Sequence, residues 1–155
     1  MTALEIAQQL VRLPSVNPTH DPDSAGEVAV VDWLENWGQT HKLQTLREPA
    51  LPGRDNISFT INNGTGPHLL LNGHTDTVSV AGMCIEPFSG EVREGRLWGR
   101  GATDMKGPLA CMLAALLELR ARKDWRGTVT VGCVVDEETE FQGIVHLIKD
   151  HEPWD

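Results

Sequence analysis

Apolar residues recur along this chain with two different periods, and the changes between them mark out its elements. Residues 2–13 carry the spacing of a short helix, and Pro14, Pro18 and Pro22 then impose an irregular loop, since each ring removes a backbone donor and restricts the residue before it. Ser24 and Glu27 stand at capping-box spacing. Val30, Trp33, Leu34 and Trp37 follow at i, i+3, i+4 and i+7, which predicts an amphipathic helix over residues 25–37 closed by Gly38. Its apolar stripe needs a sheet to cover. Two β-rich segments, 57–61 and 68–71, flank the turn-forming run Asn62-Asn63-Gly64-Thr65-Gly66-Pro67, so the sequence predicts a hairpin.

A long loop with Pro87, Gly90 and Gly95 follows, and a helix opens at Pro108 with Leu109, Met112, Leu113, Leu116 and Leu117 on one face. Residues 128–135 form a nearly unbroken apolar run of strand length, as expected for a strand buried on both faces, and few other strands are left to flank it. Phe141, Ile144, Val145 and Ile148 make a last helical stripe. Strand, helix, strand, helix gives an α/β fold in one folding unit. No internal repeat or interdomain linker interrupts it before the Pro153-Trp154-Asp155 ending.

Composition narrows the functional classes. With 155 residues, 40% hydrophobic and 23% charged, the chain is an ordinary globular one with material for one core. A net charge of −9 without any Lys/Arg-rich run argues against nucleic acid or an anionic membrane as partner. The N-terminus has neither the pattern of a secretory signal nor that of a membrane span, so a cytoplasmic location is expected. Cys84, Cys111 and Cys133 are odd in number and widely spaced, which suggests reduced thiols, with Cys111 and Cys133 in the core and Cys84 in a loop. His20, His41, His68, His146 and His151 read as surface residues.

Three clusters carry chemistry. His74 and Asp76 follow a strand and are two residues apart, so an imidazole and a carboxylate stand side by side; a carboxylate that fixes one ring nitrogen leaves the other free to ligate a metal. Asp104 precedes the helix that starts near Pro108, where it can stand between two metal ions, and Gly99, Gly101 and Gly107 would let the backbone come close to such a site. Asp136-Glu137-Glu138 lies at the carboxyl end of the buried strand, where open α/β sheets place their binding crevices. Adjacent glutamates diverge, so one can ligate while the other moves protons. The stretch Gly99-Arg100-Gly101-Ala102-Thr103-Asp104 fails as a dinucleotide fingerprint, because a carboxylate takes the third glycine position. A Walker-type phosphate loop and a Gly-x-Ser-x-Gly nucleophile elbow are absent from the sequence.

Taken in order and spacing, Leu13-Pro14-Ser15-Val16-Asn17-Pro18, Asn72-Gly73-His74-Thr75-Asp76-Thr77-Val78, Trp98-Gly99-Arg100-Gly101-Ala102-Thr103-Asp104-Met105-Lys106-Gly107 and Asp136-Glu137-Glu138 closely resemble a family of di-zinc amidohydrolases and exopeptidases. That family includes acetylornithine deacetylase, succinyl-diaminopimelate desuccinylase, aminoacylase and glutamate carboxypeptidase. The resemblance implies a zinc-peptidase-like partial three-layer sandwich, a mixed sheet flanked by helices, with residues 1–155 as the N-terminal segment of the catalytic domain. It further implies that His74 ligates one zinc, Asp104 bridges two, Glu138 ligates the other, Asp76 orients His74 and Glu137 is the general base. Co2+ is able to substitute for Zn2+, and the Asp104–Met105 peptide is expected to be cis.

By the same resemblance the substrate is a small N-acyl amino acid or peptide. The family's remaining acidic ligand, its last histidine ligand and its lid or dimerisation domain are not in these residues, so each zinc would have two protein ligands here. This fragment alone is therefore expected to be inactive, and a homodimer is open only to the full-length form. Two other classes stand beside the hydrolase: a truncated remnant that binds a metal or a partner without catalysis, and a purely structural α/β module.

Overall fold

The computed structural model describes residues 1–150, with Asp150 in its backbone alone, so the expectations for His151 and for Pro153-Trp154-Asp155 lie outside the described residues. The elements run α1 (Ala3–Arg12), α2 (Val28–Thr40), β1 (Gln44–Leu51), β2 (Arg54–Asn62), β3 (His68–His74), β4 (Glu91–Arg93), β5 (Arg96–Trp98), α3 (Lys106–Ala121), β6 (Thr128–Val134) and α4 (Gln142–Asp150). None of these helices is long and apolar enough to cross a membrane.

The main sheet has the order β1-β2-β6-β3, with β3 parallel to β6 and the other pairs antiparallel. One face is covered by α1, α2 and α3, whose Ile6, Leu10, Val30, Leu34, Leu109 and Leu113 pack with Ile57, Phe59, Val129, Val131 and Cys133 in one apolar core. On the other face α4 sets Leu147 against the strand at Gly132, where an added Cβ would come within 2.6 Å of the leucine. Helices on both sides of a mixed sheet make the expected α/β layers.

The expected 57–61/68–71 hairpin does not form. Strand β6 enters between β2 and β3 and pairs with both, Phe59 and Leu71 each standing opposite Val131. The run 62–67 therefore bridges the width of one inserted strand. It is held by Asn63 N–H donating to Gly127 O and Thr128 N–H to Pro67 O. Strand β6 also has neighbours on both sides, which removes the expected shortage of strands. The hairpin partner of β2 is β1, through the turn at Pro52 and Gly53, and β4 and β5 form a second small ribbon closed by Glu94 and Gly95, both at positive φ.

Helix α2 starts later and runs further than expected. Gly26 has φ +63°, and Glu27 binds Arg54 instead of reaching back to cap, while Ser24 Oγ donates to Val16 O. Gly38 lies inside the helix: a Cβ there would meet Phe59 and Thr45 at 2.5 Å, so the glycine serves packing against the sheet and not termination. Helix α1 does carry a capping box, between Thr2 and Glu5. In α4 the inward residues are Gly143 and Leu147, whereas Ile148 and, just before the helix, Phe141 are exposed. Cys133 is buried as expected, but Cys111 is exposed, because α3 turns Leu109, Ala110, Leu113 and Leu116 inward. His41, His68 and His146 are half-buried, and His41 rests against Trp37 at 4.6 Å between rings.

Lys106, in the first turn of α3, is wholly buried, and its Nζ donates to Leu13 O at 2.7 Å. Burial pushes its pKa down to about 7. The unfolded chain keeps that proton to about pH 10, so between these values it binds more protons than the fold, and Lys106 contributes an unfolding free energy that rises with pH. In metal-free protein, the urea midpoint of the wild type should therefore gain on that of Lys106→Met from about pH 7 to about pH 9.5. A pH-independent difference would contradict this.

Candidate metal centre

Because β3 and β6 are parallel neighbours, with His74 opposite Val134, the chain leaves both strands at the same sheet edge. Thr75 continues this alignment by donating its N–H to Val134 O. Segment 15–17 lies alongside: Asn17 N–H donates to Thr77 O and Thr77 N–H to Ser15 O. The start of α3 closes the site from below, with Met105 and Leu109 packed where Gly73 lacks a side chain. The Asp104–Met105 peptide is cis, as expected. The close approaches allowed by Gly99, Gly101 and Gly107 are to Val11 and Pro87 O, to the Lys106 and Thr77 side chains, and to Ala102 O, and not to the metal position.

These elements bring His74, Asp104 and Glu138 together, with one ligand atom of each within 4.8 Å of the others. Zinc bonds of about 2.0–2.2 Å require two ligand atoms on one ion to lie no more than about 4.4 Å apart, which His74 Nε2 and Asp104 Oδ1 satisfy at 3.0 Å. His74 Nδ1–H donates to the main-chain carbonyl of Asp76 at 2.9 Å, which leaves Nε2 facing Asp104 Oδ1 at 3.0 Å. The Asp76 carboxylate, expected to orient the ring, is the more distant neighbour of Nδ1 at 3.4 Å. Its principal work is elsewhere. It accepts from Asn17 Nδ2 at 2.8 Å, Glu137 N–H at 3.1 Å and Glu138 N–H at 3.0 Å.

Glu137 is half-exposed at the rim, its Oε2 3.5 Å from His74 Nε2. Asp104, Glu137 and Glu138 thus crowd around one imidazole, and among the described residues no Lys or Arg pairs with any of them. Burial would lower the His74 pKa, but hydrogen bonds to Asp76 and Asp104 and the charges of Asp76 and Glu137 raise it to about 9. Burial, with repulsion from Asp104, Asp76 and Glu137, raises that of Glu138 despite His74. Burial also works against the Asp76 carboxylate, yet its donors hold it below the usual range. A surplus of carboxylates facing a histidine whose Nε2 points among them, and can exchange its proton for a metal, is a donor set suited to Zn2+ or another divalent cation.

Several residues that shape the site escaped the sequence reading. Asn17 lies inside a quoted motif, but its bonds to Asp76 and Asp136 depend on the fold. His20, read as a surface residue, is exposed and contacts Glu138 O at 3.1 Å. Glu27, read as a helix cap, and Arg54 carry no local signal of their ion pair behind the site.

The family model described as peptidase family M20/M25/M40 matches residues 70–155, more than half of the chain. The chain belongs to this family. Curated relatives of this M20/M25/M40 chain include the succinyl-diaminopimelate desuccinylases of Bradyrhizobium diazoefficiens, 39% identical over 95% of this chain, and Nitrobacter hamburgensis, 40% identical over 95%. It spans 39% of the length of each. A crystal structure of a Staphylococcus aureus tripeptidase covers 99% of this chain and 41% of its own, with TM-score 0.73 and 24% identity. A Bacillus subtilis protein described as a dinuclear metal binding peptidase covers 88% of this chain and 35% of its own, with TM-score 0.61 and 18% identity. Both share the fold of this M20/M25/M40 segment.

Titration of the protein with Zn2+ should show uptake that weakens at least about tenfold in His74→Ala and in Glu138→Ala. Affinity unchanged in both variants would remove these residues from the metal centre.

Proposed function

We propose that residues 1–155 form the N-terminal part of the catalytic domain of a metal-dependent hydrolase that cleaves the amide bond of N-acyl amino acids or small peptides. Its favoured reaction is of the desuccinylase type. The observation that carries this reading is the convergence of His74, Asp104 and Glu138 at one sheet edge, with Glu137 beside them. The desuccinylase relatives point to an acylated amino acid as substrate.

His74 and Asp104 would hold one divalent cation, and Asp104 and Glu138 a second, with zinc as the preferred metal and cobalt able to replace it. When bound, such ions polarise the scissile carbonyl and make water easier to deprotonate. Two ligands per ion fall short of the three usual for catalytic zinc, so further ligands belong to the part of the enzyme beyond this 39%. On this reading residues 1–155 alone do not hydrolyse substrate. Glu137, at the rim, takes the proton of the attacking water and returns it to the leaving amine nitrogen. Asp76 supports both roles by holding the Glu137 and Glu138 backbones and, through its carbonyl, the imidazole tautomer. The free thiols suit a reducing compartment, and the proposal places the enzyme in the cytoplasm.

The test joins residues 1–155 to the remaining portion of the Bradyrhizobium relative and assays zinc-loaded protein on N-succinyl and N-acetyl amino acids. Hydrolysis is expected, with kcat falling about 10²–10⁴-fold in Glu137→Gln while zinc content is retained. A folded, metal-loaded chimera that hydrolyses nothing, or a Glu137→Gln variant as fast as its parent, would overturn the proposal.

A further inference from the structure

Behind the turn that bears the two glutamates lies an ionic network with no direct contact to the metal position. Arg54, the first residue of β2, forks onto Glu27, with Nε 2.9 Å from Oε2 and Nη2 2.5 Å from Oε1. Its remaining nitrogen, Nη1, donates to Asp136 Oδ1 at 2.9 Å. Glu27 and Asp136 are both buried. One guanidinium thus serves two buried carboxylates, and its loss would leave both without a cation, which is strongly disfavoured.

Asp136 is the first residue of the Asp136-Glu137-Glu138 cluster and has φ +68°, a conformation uncommon for a residue with a side chain. Six hydrogen bonds hold it there, two of them longer ones, from its own N–H to Glu27 Oε1 at 3.4 Å and from Gln142 N–H to its Oδ2 at 3.5 Å. Oδ1 accepts from Arg54, from Thr139 Oγ1 at 2.7 Å and from Asn17 Nδ2 at 3.3 Å, and the main-chain carbonyl accepts from Phe141 N–H at 2.8 Å. Asn17 Nδ2 also donates to Asp76, the carboxylate that anchors the Glu137 and Glu138 amides. Arg54 is thus tied through Asp136 to the backbone from which both glutamates project.

We infer that Arg54 is a positioning residue: acting through Asp136, it fixes the 136–139 turn so that Glu138 reaches the metal centre and Glu137 its rim. The consequence for the metal rests on the function proposed above, whereas the fixing of the turn stands on the network alone. Lysine cannot replace arginine here, because a single ammonium does not span two buried carboxylates as a planar fork does. Arg47 is a matched control. It joins Asp32, Glu35 and Asp55 at 2.7–2.9 Å and makes no bond to the site.

Amide hydrogen exchange in the metal-free protein, read residue by residue by NMR, tests the fixing directly. In Arg54→Lys the Glu137 and Glu138 amides should exchange at least about tenfold faster, and in Arg47→Lys they should stay within about twofold of wild type. Co2+ titration should then show an affinity loss of about 10–100-fold and an altered absorption band in Arg54→Lys only. If Arg54→Lys does not fold, the triple variant Glu27→Gln/Arg54→Gln/Asp136→Asn, which removes all three buried charges together, is compared in the same way. Unchanged Glu137 and Glu138 exchange in the Arg54 variant, or equal acceleration in Arg47→Lys, would overturn the inference. A wild type that takes up no Co2+ would sink the metal reading, and the exchange comparison would still decide the role of Arg54.

Discussion

The site depends on one buried carboxylate. Asp76 is wholly shielded from solvent, and a charge in that position is tolerated only when its lone pairs are taken by donors. Those donors come from distant parts of the sequence: the side-chain amide of Asn17 and the backbone of Glu137 and Glu138. Satisfying Asp76 therefore docks the proline-rich loop and the β6–α4 turn onto the end of β3. The same residue's carbonyl sets the His74 tautomer, so the need to satisfy one residue also orders the groups around the cation position.

The sheet makes this meeting possible. A parallel β3–β6 pair delivers His74 and the Asp136-Glu137-Glu138 turn to one edge, while α3 packs beneath and sets Asp104 against His74 Nε2. Glycine at position 73 admits Met105 and Leu109 under the histidine. Behind the turn, Arg54 and Glu27 link it to β2 and to the entry of α2, so the acidic cluster is braced from two sides.

What could be read from the sequence was whatever depends on near neighbours. The Leu109/Leu113/Leu116 face of α3 and the apolar run of β6 carry their own periodicity. His74, Asp104 and Glu138 stood out because their short motifs are dense in metal-ligand chemistry. Pairing order was not legible: the 62–67 run signals a reversal of direction, which does occur, but nothing local tells that a strand more than sixty residues later fills the gap. Strand β1 was missed because Arg47, Glu48 and Pro49 resemble loop composition, and its Leu46 remains exposed at the sheet margin. Glu27 looked like a cap and its pairing with Arg54 was not legible, since burial of an ion pair is decided by the tertiary fold.

The central claim is that His74, Asp104 and Glu138 meet at a common metal centre. Anomalous diffraction at the zinc edge from crystals grown with Zn2+ tests it most directly. The account predicts one peak about 2.0–2.2 Å from His74 Nε2 and a carboxylate oxygen of Asp104, and a second at that distance from carboxylate oxygens of Asp104 and Glu138. Zinc bound elsewhere, with these three side chains still bonded only to one another, would contradict it.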